Sequence, residues 1–445
     1  MKEYAKMEGL QTRRTALQVI RKVTEDGAYA SLALDTILKT SGLGNADRRL
    51  VSRLVYDTLD YLIYLDWALK QVMAKPDTDI KLRNILRLGA CQILIEDRIP
   101  ESAATNLCVQ LCVEIGMPGL KGVCNGILRN LIRRKDELKK PEDDPALKYC
   151  VPRWIYDRLR ADYGEEAEQI LTFRNPDEGW LLRPNLTRID DAGMEKLLAK
   201  KVWKKEKTDI PHAWRITGAM DIGRDADYRD GYFSIQSGGS MLACLAVGVK
   251  RGQQVLDCCA APGGKSCFLA ELMGGTGRVQ AWDIHEHRVE LISAQMRRLG
   301  LENVRPMVRD AGKKRDELQN ALDAVLLDAP CSGLGSLAQK PDLKLRVTEE
   351  SIKQLIDIQA GLLDTVCEYV KPGGVLVYST CSILKDENEW QAEAFLTRHP
   401  EFEETELPDT IPEKYLRRKG RGLQLLEHRD GLEGFYLIRM RKKDD

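Results

Sequence analysis

Two cysteines carry the most specific chemistry in this sequence. Cys331 sits in Asp328-Ala329-Pro330-Cys331-Ser332-Gly333, and Cys381 sits in Ser379-Thr380-Cys381-Ser382. Each motif follows a short apolar run that reads as a β-strand, Ala324-Val325-Leu326-Leu327 and Gly374-Val375-Leu376-Val377-Tyr378. A thiol on a loop just past a strand, among small neighbours, faces a ligand rather than a core. Pairing two of them suits methylation of a pyrimidine ring. Cytosine C5 is not nucleophilic by itself. A thiolate that adds to C6 makes the ring an enamine, and C5 can then attack a methyl sulfonium. The adduct must next lose its C5 proton and expel the thiol, so one cysteine serves as nucleophile and the second assists release. Asp328 is placed to bond or protonate N3 and so to stabilise the adduct.

A methyl donor needs its own site, and Asp257-Cys258-Cys259-Ala260-Ala261-Pro262-Gly263-Gly264-Lys265-Ser266 supplies a candidate. A phosphate-binding P-loop would need a glycine where Cys259 stands. A dinucleotide fingerprint would need Gly-x-Gly-x-x-Gly, which is absent. The remaining reading is a loop for S-adenosylmethionine, with Cys259, Ala260, Ala261, Pro262, Gly263, Gly264 and Lys265 as its lining. Small residues let the backbone approach a compact zwitterion, and the helix that starts near Gly264 offers its amino-terminal dipole to the carboxylate. The next strand ends at Asp283, about 20 residues on, where an acid can bond two ribose hydroxyls. Arg288 and Asp328 are further candidates for the same cofactor site. The strand after that leads to Asp310, placed to accept from an adenine amino group. Acids at successive strand ends suit a nucleoside without phosphates and would repel a triphosphate. His285-Glu286-His287 reads as an exposed helix start rather than a metal site, and no metal is expected.

These loops require a scaffold that aligns strand ends. From Gln254 onward, short apolar strands alternate with helices, the pattern of a doubly wound parallel sheet whose ligands sit off the carboxyl ends of the strands. Asp257, Asp283, Asp310, Asp328 and Ser379 all fall at or just past such ends. Residues 11–138 instead show apolar spacing of three and four throughout, the mark of packed helices, with Asn45 a candidate cap before Ala46. That region closes in a basic amphipathic helix carrying Arg129, Arg133 and Arg134. Such a face is either solvated or phosphate-binding. The proline-broken, charged stretch 139–145 reads as a linker. Between it and Arg251 helices mix with short strands, including Trp180-Leu181-Leu182-Arg183-Pro184-Asn185. The expected organisation is a helical domain at 1–140, an α+β domain at 145–250 and an α/β domain at 251–445.

Composition sets outer limits. At roughly 150 residues per domain, 445 residues make about three domains, and 43% apolar with 31% charged residues is ordinary for a folded chain. Sixty-eight basic residues balance 68 acidic ones, which excludes a globally basic nucleic-acid coat but not a local basic face. No run of about 18 apolar residues reads as a membrane span, and the first ten residues lack the apolar core of a signal peptide. A cytoplasmic monomer is expected. Twelve cysteines without Cys-x-x-Cys spacing are neither a disulfide framework nor a zinc site.

Pro262-Gly263-Gly264-Lys265, Asp328-Ala329-Pro330-Cys331-Ser332-Gly333 and Ser379-Thr380-Cys381-Ser382 together closely resemble the RNA cytosine-C5 methyltransferases, over about 200 residues. The resemblance implies that Cys381 is the nucleophile and Cys331 resolves the adduct. It also implies an RNA substrate, since DNA enzymes attack with the Pro-Cys cysteine and lack the Thr-Cys one. The helical first domain is similar to the RNA-binding NusB antitermination family. Its fusion to the catalytic domain resembles the bacterial group that modifies cytosine 967 of 16S ribosomal RNA (the RNA's own numbering). Arg183-Pro184-Asn185 matches that group's Arg-x-Asn motif, which marks Arg183 and Asn185 as RNA-contact candidates, and Gly434-Phe435-Tyr436 matches its closing strand. The chain departs from the group at Gln236-Ser237-Gly238-Gly239-Ser240 and before Pro341-Asp342, where arginines are fewer. The resemblance leaves open transfer RNA or 23S RNA as substrate. A non-catalytic assembly factor is the other alternative, and it has no need of both thiols.

Overall fold

The computed structural model describes residues 8–174, 179–218, 221–416 and 420–444. Residues 1–7, on which the reading of the leader partly rests, lie outside them. Contacts divide the chain into two compact units, Met1–Thr172 with Leu337–Val347, and Phe173–Ser336 with Thr348–Asp445.

The first unit is helical. Its main helices are Leu10–Asp26, Ala30–Thr40, Asn45–Asp60, Leu62–Val72, Ile80–Leu94, Glu101–Glu114 and Lys121–Arg134. Each turns an apolar stripe inward, so that Leu17, Ile20, Leu54, Leu65, Ile85, Leu86, Leu111 and Leu128 share one buried cluster. Burying each such side chain stabilises the fold by about 1.5–3 kcal/mol. Helix Ile80–Leu94 starts at Asp79, whose carboxylate accepts from Lys81 N–H at 2.8 Å. At Gly89 a Cβ would meet Leu128 at 2.9 Å, so a glycine is what lets those helices approach. Asn45 does not cap its helix. It is the first helical residue, and Gly44 before it takes the extended cap conformation with no side-chain bond. The charged stretch 139–145 lies within this unit, where Tyr64 Oη donates to the Leu138 carbonyl at 2.6 Å. Leu337–Val347 belongs to it as well. Lys344 Nζ donates to the carbonyl and the carboxylate of Asp60 at 2.6 Å each, and Asp342 accepts from Ala30 N–H at 3.1 Å.

The second unit holds two sheets. Strands β1 (Trp180–Pro184), β2 (Lys204–Lys207), β3 (Trp214–Thr217) and β4 (Phe233–Ile235) form an antiparallel sheet in the order β2-β3-β1-β4. Helix Asp191–Ala199, capped by Asp190, packs Met194 and Leu198 against Leu182, Trp214 and Phe233. The larger sheet comprises β5 (Gln254–Asp257), β6 (Arg278–Asp283), β7 (Val304–Val308), β8 (Leu322–Asp328), β9 (Val370–Thr380), β10 (Phe402–Glu404), β11 (Leu423–Leu425) and β12 (Phe435–Lys442). Its order is β10-β12-β9-β8-β5-β6-β7, with β11 on β12. The five strands from β7 to β9 are parallel, and β12 runs antiparallel to β9. The central strands are buried, as sheets flanked by helices on both faces require. The chain leaves β5 toward β6 and β7, then restarts on the other side with β8 and β9. This switch opens a crevice at the carboxyl ends of β5 and β8. No helix among the described residues is long and apolar enough to cross a membrane.

Candidate active site at the carboxyl ends of the parallel strands

The loop after β5 is held by its neighbours' backbone. Cys258 N–H donates to the Leu326 carbonyl at 2.9 Å, and Ala260 N–H donates to the Trp282 carbonyl at 2.8 Å. Cys259, Ala261, Gly264 and Lys265 are half-buried on this loop and Pro262 is exposed. Gly263 turns the chain into helix Gly264–Leu272 with φ 106°, and a Cβ there would lie 3.0 Å from Ile292 Cα. Both the left-handed backbone and the close approach require glycine. Asp257 is wholly buried beneath the loop and accepts from the Ser266 hydroxyl at 2.6 Å. Burial pushes its carboxyl up to about 7.

Asp283, at the end of β6, is nearly buried. It accepts from His285 N–H at 3.2 Å and lies 3.4 Å from the guanidinium of the half-exposed Arg288. Asp310, just past β7, is exposed and accepts from Gly312 N–H at 3.0 Å through one oxygen. Thus the helix amino terminus, Asp283 and Asp310 lie along one strand-end row. Carboxylates, backbone N–H groups and no phosphate clamp form a donor set that fits an aminoacyl nucleoside. His285 stands as the cap of helix Glu286–Leu299, and among the described residues no cluster of metal-ligating side chains occurs.

Strands β8 and β9 are direct neighbours with Asp328 opposite Ser379. The two cysteine loops therefore leave the sheet side by side, and Cys331 Sγ lies 3.3 Å from Cys381 Sγ. Both thiols are partly accessible, unlike the other cysteines apart from Cys259. The hydrogen bond with Cys381, reinforced by burial, pushes the Cys331 thiol well above the ordinary cysteine range. Asp328 accepts from the Ser379 hydroxyl at 2.8 Å and pairs with Lys265 Nζ at 2.7 Å. Burial works against the Lys265 charge, but Asp328 more than offsets it and holds the ammonium above the usual lysine range. Lys265, read from the sequence as part of the methyl-donor loop, thus also bridges that loop to the thiol crevice.

Two residues read as RNA contacts are placed elsewhere. Arg183 is wholly buried: Nε donates to Gln236 Oε1 at 2.6 Å, Nη1 to Glu271 Oε2 at 2.5 Å, and the guanidinium stacks 4.3 Å from the Phe268 ring centroid. Asn185 is equally buried and donates to the Gly231 and Leu299 carbonyls at 2.9 Å each. The expectation that they touch RNA is corrected. Their donors are spent inside the protein, joining the small sheet to the helices of the large one. Arg129 and Arg133 do stand exposed on helix Lys121–Arg134, whereas Arg134 is half-buried and donates to the Gln71 carbonyl at 2.8 Å. Sequence reasoning missed Glu387, a wholly buried carboxylate behind both thiols. Nothing in Lys385-Asp386-Glu387-Asn388-Glu389 marks one acid as interior, because burial there is decided by contacts with the loop after β8 and with helix Glu349–Val366.

A doubly wound sheet with a glycine-turned loop after its first strand and acids at the next strand ends defines a Rossmann-like methyltransferase domain. Residues 244–441 match the family described as 16S rRNA methyltransferase RsmB/F, residues 10–133 match the NusB family, and residues 151–223 match the RsmF/B-like ferredoxin-like domain. A probable ribosomal RNA small subunit methyltransferase B of Bacillus subtilis is 35% identical over 98% of this chain and 100% of its own length. The ribosomal RNA small subunit methyltransferase B of Erwinia tasmaniensis is 30% identical over 96% and 98%. Among solved structures, PH0851 superposes with a TM-score of 0.82 at 25% identity, covering 97% of this chain and 99% of that one. A methyltransferase homolog from Pyrococcus horikoshii gives 0.57 at 27% identity, over 67% of this chain and 97% of its own. The chain belongs to the ribosomal RNA small subunit methyltransferase B family. It is an S-adenosylmethionine-dependent ribosomal RNA methyltransferase.

Proposed function

We propose that the chain methylates C5 of a cytosine in 16S ribosomal RNA, with cytosine 967 as its target, through a covalent adduct on Cys381. The supporting observation is the 3.3 Å approach of Cys331 and Cys381 beside the Asp328–Lys265 pair. S-adenosylmethionine supplies an electrophilic methyl group, and Asp283, Asp310 and the amino terminus of helix Gly264–Leu272 are the residues to hold it. The Cys381 thiolate adds to C6 while a proton shared between Asp328 and N3 neutralises the charge that builds on the ring. C5 then takes the methyl group, leaving S-adenosylhomocysteine. Loss of the C5 proton to a base restores the double bond and expels the Cys381 thiolate, with Cys331 assisting that release. The cytosine must be unstacked to enter the crevice. The exposed Arg129 and Arg133 contribute phosphate contacts, and the protein acts as a monomer in the cytoplasm. The curated relatives named for the small subunit support 16S RNA over transfer RNA or 23S RNA. Bisulfite sequencing of ribosomal RNA from a deletion strain is the test. One unprotected cytosine at position 967, restored by the wild-type gene and not by a Cys381→Ala copy, is expected. Full protection at that position in the deletion strain refutes the target.

A further inference from the structure

Glu387 lies wholly buried, shortly beyond the end of β9. Four donors converge on its two carboxylate oxygens. Oε1 accepts from Ser332 N–H at 2.8 Å and from Gln359 Nε2 at 3.1 Å. Oε2 accepts from the Ser332 hydroxyl at 2.5 Å and from the Ser382 hydroxyl. A carboxylate only accepts, so both hydroxyls donate to it; the two Oγ atoms lie 3.1 Å apart, and they accept from Leu334 N–H at 3.4 Å and Leu384 N–H at 3.1 Å. Ser332 directly follows Cys331, and Ser382 directly follows Cys381. Gln359 also donates to the carbonyl of Pro330, the residue before Cys331, at 2.9 Å. One carboxylate therefore grips the residue after each thiol.

We propose that Glu387 is a positioning residue, whose carboxylate holds the two thiol loops together and keeps the two cysteines in different roles. The inference rests on the reading above, in which Cys381 attacks and Cys331 assists release. Geometry comes first. The loops leave separate strands, and a shared acceptor at their bases limits how far the sulfurs can part. A misplacement of about 1 Å at reacting atoms costs about a hundredfold in rate. Electrostatics follows. All four donors are neutral, so the negative charge on Glu387 is not cancelled by them. After the Cys381 hydrogen bond, burial and the charge on Cys381, this carboxylate further raises the Cys331 thiol. Cys331 is thereby kept as a proton-bearing thiol beside the nucleophile. Glutamine is neutral and not equivalent: its amide nitrogen must face either the Ser332 N–H and Gln359 Nε2, which only donate, or the two serine hydroxyls, which would have to turn from donating to accepting.

The test uses the full-length protein carrying Glu387→Gln or Glu387→Asp. The readouts are thermal unfolding, S-adenosylmethionine affinity by calorimetry, kcat and KM on 16S RNA, and the pH profile of Cys331 alkylation by iodoacetamide, mapped by mass spectrometry without RNA. Glu387→Gln is expected to keep cofactor affinity within about twofold and to lose about a hundredfold in kcat with little change in KM. Its Cys331 alkylation midpoint should fall by about one pH unit. Glu387→Asp keeps the charge and shortens the reach, so it should lose kcat while its Cys331 midpoint stays near that of the parent. If Glu387→Gln does not fold, Ser332→Ala and Ser382→Ala carry the test, each expected to lower kcat tenfold or more at unchanged cofactor affinity. A folded Glu387→Gln with parental kcat and a parental Cys331 profile overturns the proposal and leaves the methylation reading standing. A shifted Cys331 profile in a chain that leaves C5 unmethylated upholds the positioning and overturns the chemistry instead.

Discussion

The thiol crevice at the ends of β8 and β9 and the helix Lys121–Arg134 handle polar groups in opposite ways. In the crevice nearly every polar atom is desolvated and committed. Asp328 is taken by Ser379 and Lys265, the Ser332 and Ser382 hydroxyls by Glu387, and the Thr380 hydroxyl by Asn388 at 2.5 Å. Away from water each such bond is stronger and each missing partner dearer, so the arrangement is rigid. On the helix, Arg129 and Arg133 extend into solvent, where salt screens them and no single side chain dominates. The difference teaches where specificity resides: reaction geometry is built before substrate arrives, whereas attraction for RNA is spread over replaceable charges. Substitutions in the first region should act on rate nearly all-or-none, and those in the second should act on binding by degrees.

The sharpest break comes at Cys381. Cys381→Ala should reduce turnover below detection and give no covalent RNA species on a denaturing gel. Cys331→Ala should still attack and methylate, then stall as a denaturation-resistant adduct that contains the labelled methyl group. The asymmetry follows from the order of addition, transfer and elimination. A trapped adduct from Cys381→Ala, with none from Cys331→Ala, would exchange the two roles.

Asp283→Ala should weaken S-adenosylmethionine by tenfold to a hundredfold, since a charged hydrogen bond in a buried site contributes about 1.5–3 kcal/mol. Calorimetry that finds equal affinity removes Asp283 from the cofactor site. A smaller effect is expected on stability. The buried Asp257 is raised to about 7, against about 3.9 for an unfolded aspartate. Between those values the folded chain binds a proton that the unfolded chain lacks. Its contribution is therefore fully present below about pH 4 and is lost as pH rises through 7. Asp257→Asn removes that slope, so its Tm relative to the parent should climb by about 5 °C between pH 5 and pH 8 in scanning calorimetry. A pH-independent difference would show that the acid is not held neutral.

The helix gives the gentlest response. Charge reversal at Arg133 and Arg134 should raise KM for RNA several-fold, reduce the salt dependence of binding by about one unit per lost phosphate contact and leave cofactor affinity unchanged. Of the two, Arg133 should matter more, because Arg134 already donates to the Gln71 carbonyl and to Glu137. RNA binding that survives the double reversal makes this a merely solvated face.

Local pattern alone determined a good deal of this protein. Strand-helix alternation after Gln254 marks the doubly wound sheet, because strands covered on both faces must be short apolar runs. The acids and thiols lie at strand ends, because loops there are where a parallel sheet exposes side chains. Apolar spacing of three and four marks the helical region for the same kind of reason. What depended on distant contacts was not legible. Strand β2 is four exposed charged residues, and β10 and β11 have three residues each, too short to show a period. Arg183 and Asn185 look like surface polar residues until Glu271 and the Leu299 carbonyl close on them. Glu387 is one of several acids after Cys381, and only the meeting of the loops after β8 and β9 with helix Glu349–Val366 makes it the acceptor beneath both thiols. Residue type and spacing can name the groups capable of chemistry. Whether a charge is buried or solvated depends on what the rest of the chain packs against it, and only the tertiary structure decides that.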